Sequence, residues 1–354
     1  MALDFYNKKR VLVTGHTGFK GTWLAKILVN AGATVIGYSL NPPTNPNLFS
    51  LSKIETDIIS IHGDVRDYEK FKKTIEKYKP EIIFHLAAQP LVKEAYKNPI
   101  YTYETNILGT LYLMEIMREY DFIKSVINVT TDKVYENKEW EWGYRENETL
   151  NGFDPYSNSK SCSELITQTY KRSFLDQAGI AVSTVRAGNV IGGGDFSENR
   201  IVPDCIQAAL DKKIILVRNP YSTRPYQHVL ESLSAYLIIA EKQFSNINLS
   251  NSYNVGPDDK DCLTTKELVE IFCEIYGNGM NWKDISNSNE PHEAKFLKLD
   301  CSRIKTTIRW KPIWNIKEAI SRTVEWTKVY EQNIDLIPFI MDQQILDYFG
   351  GDKE

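Results

Sequence analysis

From residue 11 onward, short apolar runs alternate with longer stretches whose apolar positions recur at helical spacing. Residues 11–14 are apolar and β-branched, 22–30 show helical periodicity, and 33–38 turn β-rich again, which makes one β-α-β unit. The same reading predicts strands at 58–61, 82–86, 125–129 and 181–185, with helices near 67–79, 101–119 and 157–177 between them. Strands alternating with helices build a parallel sheet covered on both faces, so six or seven of them predict an α/β fold of the Rossmann type, a doubly wound parallel sheet.

The pattern changes after residue 189. A glycine run at 192–194 is followed by a proline-marked turn at Pro203, a short strand at 214–217, and helical periodicity at 229–243, 264–276 and 316–331. Loops rich in Asn, Asp and Ser separate these segments, and residues 278–293 read as an exposed loop. The division drawn is a dinucleotide-binding domain at 1–188 and a smaller mixed α/β lobe at 189–354, with interleaving of the two left open.

Composition narrows the picture. The 354 residues, 42% of them hydrophobic, suffice for one large or two modest cores. Lys+Arg number 42 against 46 Asp+Glu, a net charge of −4, which argues against a broad nucleic-acid footprint but leaves room for a local phosphate pocket. The five cysteines, scattered and without CxxC spacing, suggest neither a metal site nor a disulfide framework, and point to a reduced, cytoplasmic setting. The first ten residues are polar and no run of about 18 apolar residues occurs, so neither export nor a membrane span is expected.

Candidate chemistry begins at the first strand-to-helix turn. Gly15, Gly18 and Gly21 stand in GxxGxxG spacing where a tight turn lets backbone approach a pyrophosphate at the positive end of a helix. An acidic residue normally closes the second strand and grips the ribose 2′-hydroxyl; here Tyr38, Ser39 and Leu40 stand instead, so NAD is not separated from NADP. His16 and Lys20 either face the adenosine ribose or its phosphate, or are solvated. Asp64, after the third strand, is placed either to bond an adenine amino group or to cap the next helix.

Tyr156 and Lys160 form a YxxxK pair on one helix face, where an ammonium near a phenol favours the phenolate. Two further pairs, at 68/72 and 120/124, are expected to be solvated surface. Only the pair at 156/160 follows a strand ending in Thr130, Thr131, Asp132 and Lys133, whose side chains stand at the carboxyl edge where open α/β sheets bind ligands. His228 reads as structural.

Together, GHTGFKG at 15–21, HLAA at 85–88, Asn106, TTDKVY at 130–135, YSNSK at 156–160 and RAGNVIGGGD at 186–195 resemble the extended short-chain dehydrogenase/reductase superfamily. Within it the chain is similar to the nucleotide-sugar 4,6-dehydratases, most of all to those acting on CDP-glucose. The resemblance implies NAD as cofactor, lined by Gly15, His16, Thr17, Gly18, Phe19, Lys20, Gly21, Asp64, Val65, Leu86, Ala87, Ala88, Tyr156 and Lys160. It implies that Tyr156 takes the proton of the sugar 4-hydroxyl beside Thr131, that Asp132 protonates the departing 6-hydroxyl, and that Asn106, Asn189 and Arg224 serve the substrate, Asn106 through a proton relay. Many related dehydratases carry a glutamate where this chain has Lys133. A lysine base must be neutral, and a shift from ~10.4 to near 7 costs roughly 4–5 kcal/mol. Lys133 is preferred as the C5 base, with Glu136 or a water as alternatives. A homodimer through helices 101–119 and 157–177 is also implied. A 4-epimerase, a dehydratase of another nucleotide sugar, or a catalytically silent dinucleotide sensor are the competing readings.

Overall fold

Alternation of side chains along each strand decides how the layers stack. In a computed structural model of the chain, which describes residues 3–286 and 296–350, seven strands form one wholly parallel sheet: β1 (Arg10–Thr14), β2 (Thr34–Ser39), β3 (Ile59–His62), β4 (Ile82–His85), β5 (Ser125–Val129), β6 (Ala181–Ala187) and β7 (Ser252–Val255). Their order is β7-β6-β5-β4-β1-β2-β3, so the chain reverses direction across the sheet between β1 and β4, the crevice where open α/β sheets bind ligands. Leu12, Ile83, Val126 and Val182 point to one face and pack under Phe71, Ile75, Leu113 and Met117; Val11, Val13, Phe84 and Ile127 point to the other, under Leu24, Ile27, Leu233 and Leu237.

The first face is covered by α2 (Tyr68–Tyr78), by α3, which runs through 99–117 with a π turn at Glu104–Leu108, and by α4 (Pro155–Tyr170). The second carries α1 (Phe19–Asn30) and α5 (Val229–Ser245). A separate core of Cys205, Ile206, Ile215, Val217, Leu268, Phe272 and Ile320 lies under the remaining C-terminal segments. The strand at Ile215–Val217 and the helices at Thr265–Tyr276 and Ile316–Gln332 fall where periodicity predicts them.

Two elements differ from expectation, and a third bears on the interleaving left open. Pro203 marks no turn: it sits in the first turn of a helix at Ile201–Leu210, where its missing N–H and fixed φ are tolerated. Residues 278–293 are not loop throughout, because Trp282–Asp284 pairs with Ile215–Val217; residues 287–293 lie outside the described residues. Finally, α5 and β7 return from beyond residue 189 to the main sheet, where Tyr253 pairs with Val185.

One buried ion pair joins these layers. Glu164 of α4 accepts from Arg186 Nε at 3.0 Å and Nη2 at 2.8 Å, and from the hydroxyls of Thr130 and Thr184; neither charged side chain is exposed at all. Arg186 Nη1 also donates to Tyr135 Oη at 2.8 Å and to the Glu146 carbonyl at 3.0 Å, so β5, β6, α4 and the loop after β5 meet at one guanidinium.

Burial also sets a pH response. It holds three histidines in their neutral form, lowering His16 to about 4 and His85 and His228 to about 3. The unfolded chain binds these protons near the ordinary histidine value, so their contribution is complete above about 6.5 and is lost as pH falls. Burial raises Glu231 to about 7, the largest of the opposing shifts, and raises Glu146, Asp204 and Glu241 as well, groups whose protonated form favours the fold. The melting temperature is expected to fall from pH 7 to pH 5, and calorimetry across that range checks the sign; a flat or rising profile would contradict it.

Candidate active site

The turn after β1 is a backbone cradle. Gly15 adopts φ 74°, and a Cβ there would lie 2.9 Å from the Ala87 nitrogen, so β1 and β4 converge with only glycine between them. A Cβ on Gly21 would fall 2.1 Å from the Gly15 carbonyl oxygen, which closes the loop onto the first turn of α1. The N-cap is Gly18, whose lack of a side chain leaves the N-terminal amides of α1 uncapped and directed at the crevice. Thr14 Oγ1 accepts from the Leu86 and Ala87 amides, each at 3.1 Å, and fixes the turn after β4 beside this loop, with Ala88 following. An uncapped helix terminus and a loop without side-chain bulk fit a dinucleotide pyrophosphate.

The side chains of the loop divide between the protein and the crevice. His16 is buried, not solvated: its ring lies where a Cβ on Gly37 would be, 2.4 Å away, and Nε2 shares a hydrogen bond with Ser60 Oγ at 2.8 Å. Thr17 Oγ1 reaches the end of β2, at 2.8 Å from Ser39 Oγ and 2.9 Å from the Leu40 carbonyl. Phe19 packs under Gly192, and Trp23 Nε1 donates to the Gly193 carbonyl at 3.1 Å, so the glycine run at 192–194 lies against α1. Lys20, between these two anchors, stands within charge range of Asp132, Lys160, Asp195 and Arg200. Asp64 is held by Arg66, with Nη2 at 2.7 Å, and that guanidinium stacks on Tyr101 at 4.7 Å; Val65 packs on Gly109.

At the end of β5, Thr131 Oγ1 donates to Asp132 Oδ1 at 3.0 Å, and Asp132 is buried with Oδ2 lacking a hydrogen-bond partner among the described residues. Lys133 Nζ lies 3.8 Å from Asp132 Oδ1 and its side chain is 30% exposed. Glu136 is exposed, its backbone N–H tied to the Thr149 carbonyl. Asp154 caps α4 and Pro155 opens it, so Tyr156 enters the cleft on the first turn. Tyr156 is hydrogen-bonded by Thr131, and one helical turn on Lys160 Nζ donates to the Val129 carbonyl at 2.9 Å. Burial pushes Tyr156 up to about 12, against the smaller pull of Thr131 and Arg200, and lowers Lys160 to about 8. In the protein alone, burial therefore outweighs the expected lysine effect on the phenol.

Asn106, in the π turn of α3, accepts from the Gln89 amide at 2.9 Å and donates to the Gln89 carbonyl and Ser159 Oγ, bracing the turn after β4 against α4 rather than reaching into the cleft. Asn189 and Arg224 lie on adjoining segments: Gln227 N donates to the Asn189 carbonyl at 2.9 Å, and buried Arg224 donates to the Thr223 carbonyl. The structure thus brings Lys20, Thr131, Asp132, Tyr156 and Lys160 to one crevice. The pair at 68/72 lies on the outside of α2, bonded to Glu119, and Tyr120 stacks on Phe122 beyond the end of α3. His228 is buried as the cap of α5.

Sequence reasoning gave no role to Asp195 and Arg200, which pair at 3.0 Å over the crevice. Their only sequence signal is the glycine run before them, which lets that segment fold back on α1.

The sequence profile of the family described as GDP-mannose 4,6 dehydratase matches residues 12–323. The chain belongs to that family. This dehydratase is 44% identical to CDP-glucose 4,6-dehydratase of Salmonella typhimurium strain LT2 over 98% of both chains. Solved structures share its fold: dTDP-glucose 4,6-dehydratase of Bacillus anthracis in complex with NAD (22% identity, TM-score 0.76, covering 92% of this chain and 97% of that one) and UDP-glucose 4-epimerase of Thermotoga maritima with UDP-glucose (22%, TM-score 0.77, 90% and 98%). The dehydratase is thus a hydro-lyase of nucleotide sugars on a short-chain dehydrogenase/reductase fold.

Proposed function

We propose that the protein converts CDP-glucose to CDP-4-keto-6-deoxyglucose, with NAD held in the glycine cradle. The observation that carries this reading is the buried Thr131–Asp132–Tyr156 cluster at the switch point, in a chain 44% identical over its length to a CDP-glucose 4,6-dehydratase. When bound, NAD supplies the acceptor for the C4 hydrogen and later gives it back at C6. Tyr156 takes the 4-hydroxyl proton, and Thr131 orients both phenol and sugar oxygen. The resulting 4-ketone acidifies C5–H. Asp132, whose Oδ2 has no protein partner among the described residues, faces the 6-hydroxyl and protonates it as water departs. Lys160 and the amides of α1 hold the cofactor, and Asp64 its adenine. Asn189 and Arg224 belong to the lobe that grips the sugar nucleotide, built from residues beyond 188 apart from α5 and β7.

The same reading makes the protein a cytoplasmic homodimer. Ile100 on α3, Leu165 on α4 and Phe174 on the π turn continuing from α4 are exposed and give a dimer interface apolar anchors, and no described helix is long and apolar enough to cross a membrane. Incubation with CDP-, dTDP-, UDP- and GDP-hexoses tests the substrate: CDP-glucose is expected to give the alkali-induced absorbance of a 4-keto-6-deoxy sugar. Formation of CDP-galactose alone would sink the dehydratase reading in favour of the epimerase.

A further inference from the structure

Asp132 stands on one 3₁₀ turn, Asp132–Val134, whose backbone is held from within by two long contacts to Thr131, both at 3.4 Å. Firmer anchors lie on either side of it. Before the turn, Thr130 N donates to the Val185 carbonyl at 2.9 Å. After it stands Tyr135, and Tyr135 is held by Asn254, a fully buried side chain near the carboxyl end of β7. Asn254 Oδ1 accepts from Tyr135 Oη at 2.6 Å, while Nδ2 donates to the Tyr144 carbonyl at 2.7 Å and to the Asp300 carbonyl at 3.0 Å. The oxygen and both hydrogens of one amide thus serve three segments far apart in the chain.

Those segments continue into the lobe beyond residue 188. Asp300 N donates to the Tyr144 carbonyl and Tyr144 N to the Lys298 carbonyl, each at 3.0 Å. Asn137 Nδ2 donates to the Phe296 carbonyl at 3.2 Å, and Phe296 bridges to Thr223, the neighbour of Arg224. Leu297 and Leu299 are buried between these contacts, and the ring of Tyr144 stacks on Tyr135 and on Trp140, 5.3 Å from each. A continuous strap therefore runs from the turn that carries Asp132, through Asn254, to the strand that carries Arg224.

We propose that Asn254 is a positioning residue for the elimination step: through Tyr135 it sets where Asp132 stands, and through Tyr144 and Asp300 it ties that setting to the lobe that grips the sugar nucleotide. The assignment rests on the dehydratase reading above. The two chemical steps depend on different anchors. C4 oxidation uses Tyr156 and Lys160 of α4, with Thr131 fixed from the strand side by Thr130. Protonation of the 6-hydroxyl uses Asp132, which is fixed from the Tyr135 side. Ser161 Oγ also holds the Val134 carbonyl, at 2.8 Å, so loss of the Asn254 contact shifts the turn and does not release it.

Tyr135→Phe keeps the stacked ring and removes the hydroxyl that Asn254 accepts; Asn254→Ala removes the other partner. In single turnovers of the NAD-loaded protein with CDP-glucose, both variants are expected to form the reduced-nicotinamide absorbance at close to the parental rate. Its decay, which follows elimination, is expected to slow by about 10–100-fold, because a misplacement of ~1 Å at a reacting group costs up to about 10² in rate. The double variant should be no slower than the slower single one, since both act through one contact. Tyr253→Phe is the control for a structural role: its buried hydroxyl, on the residue beside Asn254, bonds to the Leu249 carbonyl away from the turn, so this variant should lose melting temperature but keep the parental decay. The assignment is overturned if both steps slow by the same factor, if decay stays parental, if Tyr253→Phe slows it equally, or if the double variant shows the product of the two single effects. Should Asn254→Ala fail to fold, Tyr135→Phe against Tyr253→Phe decides alone. A parent protein that forms no keto sugar from CDP-glucose sinks the dehydratase reading itself, whereas a parent that forms it beside unaffected variants sinks only the role of Asn254.

Discussion

Replacing Tyr156 by Phe is expected to lower turnover by about 10²–10⁴-fold, the usual contribution of a positioned acid–base group, while NAD affinity stays within about twofold. The phenol stands on the first turn of α4, buried and bonded to Thr131, with no cradle residue depending on its hydroxyl. Burial holds it in the protonated form in the protein alone, up to about 12, so deprotonation has to be drawn out by what binds in the cleft. The loss should therefore fall on the rate constant rather than on substrate affinity. Keto-sugar formation and calorimetric NAD titration measure the two separately. Turnover near the parental rate would remove Tyr156 from the mechanism.

The largest stability loss is expected for Arg186→Met. Glu164 would keep only the Thr130 and Thr184 hydroxyls, an uncompensated carboxylate in a fully buried place, at a cost of about 3–5 kcal/mol. Removing the carboxylate as well, in Arg186→Met with Glu164→Met, should recover much of the loss, because the penalty comes from the orphaned charge and not from absent attraction. Denaturant unfolding of the single and double variants tests this. A single variant as stable as its parent would mean that water reaches Glu164.

Most of the sheet was legible because its strands bury both faces and so read as short, nearly continuous apolar runs, as at 82–86 and 125–129. β7 was not, because Ser-Tyr-Asn-Val holds only two apolar residues; its Ser252 and Asn254 are satisfied by partners far along the chain, Thr184 Oγ1 and Tyr135 Oη. The helix at Ile201–Leu210 was hidden by Pro203, whose tolerance in a first turn depends on where the helix begins. At the site, motif spacing found the crevice residues. It could not tell which way His16 points, since that is set by the absence of a side chain at Gly37, one strand away. Nor could it find the Asp195–Arg200 pair, which reaches the crevice only through the packing of residues 192–193 on α1.

The late return of β7 to the sheet bears on how this enzyme can be taken apart. A chain ending at residue 188 would bare the backbone edge of β6 and strip α5 from the sheet's second face, inviting another strand to add there. Swapping specificity between relatives by a single-junction chimera would therefore break the cofactor half as well. Loop grafts bounded on both sides, leaving 229–255 with its own sheet, are the units that can be exchanged.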